Sequence, residues 1–257
     1  MNNNIKVVTF DLWDTVFIDD SDEPERSRMG LPPKPVHRRN LVEQFLRDSG
    51  KSVPQSLIHA AYDAADAAFY QAWYQENRTW TVAERLRVLL KELKRELDSE
   101  QFNKLVILHE EMEMNPVPSL APDISSILPV LHEKYRLAVV SDAIFSPGRC
   151  LRQILDHHKL LKYFDAFSFS DEIGCSKPCT RMFQHISDVM NVSFNEIVHI
   201  GDREQKDIAG PHAAGAHAIL TTVVKDRGEK ETLAEARCSD YKNLPSIIDS
   251  ISRRISD

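Results

Sequence analysis

Val7-Val8-Thr9-Phe10-Asp11-Leu12-Trp13-Asp14-Thr15 is the stretch on which the fold turns. Residues 5–10 are apolar and β-branched, long enough for a buried strand, and the run stops on the carboxylate of Asp11. The same grammar returns at residues 136–141, 196–200 and 216–222, each a near-continuous apolar run. Such strands have no polar face for water, so they belong inside a parallel sheet covered on both sides. Helical patterns fill the intervals at residues 123–134, 146–158, 178–190 and 207–214. Strand and helix in alternation predict an α/β fold built on a doubly wound parallel sheet.

Local signals sharpen the helix ends. Ser146-Pro147 sets a capping side chain before a proline suited to the first helical position, and Lys177-Pro178 repeats this without a strong cap. Gly215 reads as a C-terminal stop. Residues 225–257 read as a connector and a closing helix over Leu244 to Ile255.

Residues 18–119 follow a different rule. A charged, proline-rich stretch over 19–37 leads into helical patterns alone: Leu41, Phe45 and Leu46 up to Gly50; Leu57, Ala60, Ala61, Ala64, Ala67 and Ala68 after Pro54; then Arg85 to Leu97 and Phe102 to Met114. The expectation is a helical cap at 18–119, inserted after the first strand of a core made of 1–17 and 120–257. Phe69, Tyr70, Trp73, Tyr74 and Trp80 serve either cap packing and the cap–core interface or ligand stacking, with packing the plainer reading. Arg26, Arg28, Arg38 and Arg39 are read as solvent-facing rather than as anion contacts.

Bulk composition narrows the function classes. The chain of 257 residues, 42% hydrophobic and 28% charged, is long enough for a sizeable core. A formal charge of −7 gives no reason to expect nucleic acid or a membrane as partner. No apolar run reaches the roughly 18–20 residues of a membrane span, and Met1 to Lys6 lacks the pattern of a secretion signal. Cys150, Cys175, Cys179 and Cys238 form no CxxC pair, and reduced thiols in a cytoplasmic protein are expected over a Cys175–Cys179 metal site.

Four polar groups then fall at strand ends or helix starts, in one order. Asp11 ends the first strand, where open α/β sheets place their ligands, and a carboxylate there can act as a nucleophile. Ser141, followed by Asp142, ends the next strand and can donate a hydrogen bond to an anionic oxygen. Lys177 precedes a helix start, so its ammonium and free backbone N–H groups favour an anion. Asp202 and Asp207 lie just past a later strand and, with Asp11, offer hard oxygen ligands suited to Mg²⁺. Each has an ordinary reading as a turn or capping residue, but the ordered set is specific.

These segments resemble the haloacid dehalogenase-like (HAD) hydrolase superfamily, over residues 5–17 and 122–222. The run from Gly201-Asp202 through Asp207 to Gly210, with Gly215 beyond, is the most distinctive part. The resemblance implies a Rossmann-like core, Asp11 as nucleophile, Ser141, Asp142 and Lys177 at the phosphate, and Mg²⁺ held by Asp11, Asp202 and the Trp13 carbonyl, supported by Asp207. It also implies that the helical insertion closes over a small anionic substrate. One departure stands out: phosphatases of this superfamily carry a second aspartate, the acid–base group, two residues after the nucleophile, where this chain has Trp13. An indole does not exchange protons on a useful timescale, and such help is typically worth about 10²–10⁴-fold. Asp14 is expected to point away along a continuing strand. A Mg²⁺-dependent phosphohydrolase favouring good leaving groups is therefore expected, with a metal-independent 2-haloacid dehalogenase, or a phosphate- or metabolite-binding protein without turnover, as alternatives.

Overall fold

Val7–Phe10 forms β1, with Arg136–Ser141 (β2) on one side and Ile197–Gly201 (β4) on the other. Ala166–Phe169 (β3), His217–Thr221 (β5) and Ala236–Cys238 (β6) complete a six-stranded sheet in the order β3-β2-β1-β4-β5-β6, parallel at every pairing. This computed structural model describes residues 4–228 and 231–256. Met1 to Asn3, part of the N-terminal reading, and Glu229, Lys230 and Asp257, part of the expected connector and closing helix, lie outside the described residues.

Both faces of the sheet are covered. Val8, Phe10, Val139, Val198 and Ile200 pack on Leu128, Leu131, Leu151, Ile154, Ile248 and Ile251. These belong to Ile124–His132, Gly148–His157 and Leu244–Ser256, which are α6, α7 and α11 in chain order. Val7, Ala138, Val140 and Ile197, one residue out of phase, pack on Met182, Phe183 and Ile186 of Thr180–Met190 (α9), which follows the short helix Ser170–Ile173 (α8). Side chains alternate across a strand, so apolar residues at consecutive positions bury both faces. The doubly wound α/β fold expected from the sequence is the fold observed.

The segment between β1 and α6 is helical: Glu23–Arg28 (α1), Lys34–Asp48 (α2), Gln55–Gln75 (α3), Val82–Glu92 (α4) and Ser99–Glu110 (α5). It has its own apolar cluster, including Val42, Leu46, Ile58, Leu86, Leu89 and Leu105. The chain leaves and re-enters the sheet side by side, with Phe17 bridged to Leu120 and Ile18 N–H donating to Ser119 O at 2.9 Å. We propose that bridge as the boundary between core and cap.

Some local expectations are corrected. The buried face of α3 is Ile58, Ala61, Tyr62, Ala65, Phe69, Ala72 and Trp73, whereas Leu57, Ala60, Ala64 and Ala67 face water. Large side chains gain more from burial than alanine methyls do, and they set the rotation of the helix. Ser146 does not cap α7; its hydroxyl bonds the Glu113 carboxylate instead. α9 begins at Thr180, not at Pro178. The helix expected over 207–214 is a π-helical turn at Glu204–Ile208 running into Ala209–Ala214 (α10), stopped by Gly215 at φ +91°. The short strands β3 and β6 carried no sequence signal strong enough to mark them.

Candidate active site

β1 and β4 are neighbours in space although most of the core chain lies between them. From β1 the chain winds out to β3, then returns to β4 on the other flank, so the crevice between β1 and β4 is the topological switch point. Asp11 and Asp202 leave the carboxyl ends of these two strands, and Asp11 N–H extends the ladder to Ile200 O at 2.9 Å. Asp207 returns from the π-helical turn. Carboxylate oxygens of Asp11, Asp202 and Asp207 lie within 4.8 Å of one another, all three buried.

Gly201 makes that return feasible. A Cβ on it would lie 2.3 Å from the Asp207 carboxyl carbon, so only glycine leaves room for this carboxylate beneath the end of β4. Asp207 is held by Lys177 Nζ at 2.5 Å, by Arg203 N–H at 3.0 Å and by His199 Nε2 at 3.3 Å. His199 stands opposite Thr9 in the β1–β4 register, and Thr9 Oγ1 meets its Nδ1 at 2.8 Å. Burial lowers the His199 pKa, so the neutral ring accepts from Thr9 and donates to Asp207. Sequence reading missed this relay, because the only sign of it is a polar residue in each of two otherwise apolar strands.

Lys177 spans the cluster, with Nζ 2.7 Å from Asp11 and 2.5 Å from Asp207. Burial opposes its charge, but Asp11 and Asp207 outweigh burial and raise its pKa. Burial likewise opposes ionisation of Asp207, and Lys177 and His199 reverse that, holding it well below the ordinary carboxylate range. Asp202 behaves oppositely: burial, then Asp207 and Asp11, push its carboxyl up to about 7. A carboxylate cluster with that much mutual repulsion favours a cation. Asp202 Oδ1 is buried with no hydrogen-bond partner, so the donor set fits a divalent ion taking oxygen ligands.

The other expected residues fall around this cluster. Ser141 Oγ is fully buried and has no partner. Asp142 Oδ1 accepts from Lys177 N–H at 2.9 Å and Oδ2 from Trp73 Nε1 at 2.8 Å. Its carboxylate therefore ties α3 and the lysine loop to the end of β2, leaving only its backbone for an anion. Trp73 thus sits at the cap–core interface, where Lys206 Nζ also lies 4.2 Å from its ring. Trp13 is half-buried, edge-on to Phe17, and lines a cavity of about 320 Å³ that also reaches Asp11 and Lys177.

Asp14 is not turned away. The chain coils after Leu12, whose carbonyl accepts from the N–H groups of Thr15, Val16 and Phe17, so no strand continues. The Asp14 carboxylate is buried and paired with Arg227 at 3.0 Å, and the same guanidinium also pairs with Asp202. Arg227 was not foreseen; it sits in a loop beyond β5 whose sequence gives no hint of direction. Arg26 and Arg38, expected to face water, are buried, whereas Arg28 is exposed. Cys175 and Cys179 are free thiols with Sγ atoms 2.6 Å apart.

A family model for haloacid dehalogenase-like hydrolases matches residues 5–215. The chain belongs to the haloacid dehalogenase-like hydrolases. It is 29% identical over 141 residues to glyceraldehyde 3-phosphate phosphatase of Methanothermobacter thermautotrophicus, covering 52% of this chain and 59% of that one. It is 33% identical over 103 residues to human haloacid dehalogenase-like hydrolase domain-containing protein 3, covering 37% of this chain and 39% of that one. The chain thus spans less than two thirds of the length of either relative. A HAD phosphatase of Thermococcus onnurineus shares the fold at TM-score 0.63 and 19% identity, covering 95% of this chain and 98% of its own. A 2-haloacid dehalogenase of Pseudomonas syringae does so at TM-score 0.64 and 22% identity, covering 96% and 99%. No helix among the described residues of this HAD hydrolase is long and apolar enough to cross a membrane.

Proposed function

We propose that this HAD hydrolase is a Mg²⁺-dependent phosphohydrolase acting on a small phosphorylated metabolite through a phosphoaspartyl intermediate. The observation that supports it most is the convergence of three buried carboxylates and Lys177 at the switch point. A haloacid substrate expels a halide and needs no such acidic cluster. The phosphatase relative points the same way.

Asp11 is the nucleophile: a carboxylate oxygen forms a bond to phosphorus as the ester oxygen departs with its electron pair, leaving an acyl phosphate. Water then attacks that phosphorus, releasing inorganic phosphate and the Asp11 carboxylate. Lys177 neutralises charge on the phosphoryl group and aims Asp11, since its ammonium is fixed by Asp207 on the other side. Ser141 Oγ, buried without a partner, donates to a phosphoryl oxygen. Asp142 is a positioning residue through the Lys177 backbone. Asp11, Asp202 and the Trp13 carbonyl would hold Mg²⁺, supported by Asp207. Bound there, the ion supplies electrostatic stabilisation to the phosphoryl oxygens.

The test is a screen of phosphate esters and 2-haloacids, each with Mg²⁺ and with chelator, on the intact protein and on Asp11→Asn. Phosphate release that needs Mg²⁺ and disappears in Asp11→Asn is expected. Halide release that survives the chelator would instead establish the dehalogenase, and phosphate-ester binding without turnover a binding protein.

A further inference from the structure

The cavity over Asp11 does not end at the catalytic cluster. It runs under the cap to Lys34, Arg38, Tyr62 and Arg85. Most cations at this end have hydrogen-bonded carboxylate partners: Lys34 meets Asp22 at 2.6 Å, Arg39 meets Asp63 at 2.8 Å, and Arg85 meets Asp66 at 2.5 Å. Arg38 does not. It is 6% exposed, its Nε and Nη2 make no hydrogen bond, and the Glu113 carboxylate stands 3.7 Å from Nη2. The guanidinium is fixed nonetheless, 3.5 Å from the centre of the Phe145 ring, with Arg85 at 4.0 Å from the same ring. Phe145 follows β2 in the core and packs into the cap cluster, so the core itself holds both guanidinium groups in place.

A buried guanidinium with unmade N–H bonds is costly unless an anion completes it. The Nε and Nη2 donors lie along one edge of the planar group, the edge that grips a carboxylate with two parallel bonds. Asp19, Asp20, Asp66 and Glu113 line the same cavity, and their charge disfavours a dianion at this end more than a monoanion. We infer that Arg38 anchors a second anion subsite, taking a carboxylate at the end of the substrate opposite its phosphoryl group. The substrate class narrows to short phosphorylated carboxylic acids. This rests on the phosphohydrolase reading, which places the phosphoryl group at Asp11.

The test measures calorimetric binding, with Mg²⁺ present, of methylphosphonate and of ω-phosphonocarboxylates with one to three methylenes, each beside its neutral amide. At least one carboxylate is expected to bind about 10–100-fold more tightly than its amide, the range of charge-assisted bonds. That ratio should fall toward one in Arg38→Met and be partly kept in Arg38→Lys, which retains charge without the fork. Equal affinities for acid and amide throughout the series, or a ratio untouched by either substitution, overturn the subsite. Failure of every phosphonate, methylphosphonate included, to bind overturns the phosphate site and the subsite with it.

Discussion

At the scale of single residues, Trp13 makes the sharpest prediction. It lines the cavity where a proton donor would stand, and its indole cannot serve. Aryl and acyl phosphates should turn over far faster than alkyl phosphates, and the phosphoaspartyl state should persist long enough to trap by rapid acid quench. Trp13→Asp should raise alkyl phosphate hydrolysis by about 10²-fold or more; equal rates on aryl and alkyl esters in the parent would show another proton source. Arg227 makes a second prediction. Its guanidinium pairs with Asp202 and Asp14 and so competes with a metal for the same carboxylate. Arg227→Gln should bind Mg²⁺ several-fold more tightly by calorimetry, the scale of about 1 kcal/mol. The types and positions of Asp11, Lys177, Asp202 and Asp207 were legible because Asp11 and Asp202 follow apolar runs while Lys177 and Asp207 fall where helix starts are read. Arg227 was not, since a loop arginine carries no directional signal until the loop is placed.

At the scale of elements, α3 is joined to the end of β2 by a buried hydrogen bond, Trp73 Nε1 to Asp142 at 2.8 Å. Trp73→Phe keeps most of the ring and removes the donor. The loss should be roughly 1–3 kcal/mol, visible as a melting temperature lower by several degrees and as a higher KM. Inside the cap, His109 of α5 packs against Tyr62 of α3. Its Nδ1 donates to Leu105 O at 2.8 Å, and its Nε2 accepts from Tyr62 at 2.6 Å. Burial drives its pKa from 6.5 down to about 3, so the unfolded chain binds the extra proton first. Stability from this site is full above the ordinary histidine range and is lost as pH falls from 6.5 toward 3. His109→Gln should flatten that part of the acid limb in melting curves taken across it, and an unchanged slope would mean the site does not control it. The helices of the cap were legible as helices; the rotation of α3 was not, because periodicity in alanines competes with periodicity in aromatics until both have neighbours.

At the scale of the whole molecule, the proposed function draws its chemistry and its substrate choice from different parts of the chain. The sheet brings residues from β1 and β4 to one crevice, while cap residues form the far end of the cavity. By itself the sequence determined the α/β class, the helical insertion and the order of the polar groups at strand ends. These follow from short-range hydrophobic period and from residue type, both of which survive without tertiary contacts. Only the tertiary structure decided that Asp142 clamps rather than exposes its carboxylate, that Asp14 turns inward to Arg227, and that Arg38 is buried beside the cavity with its Nε and Nη2 making no hydrogen bond. The direction and pairing of a charged side chain depend on which distant segment arrives beside it, and a one-dimensional pattern does not contain that distance.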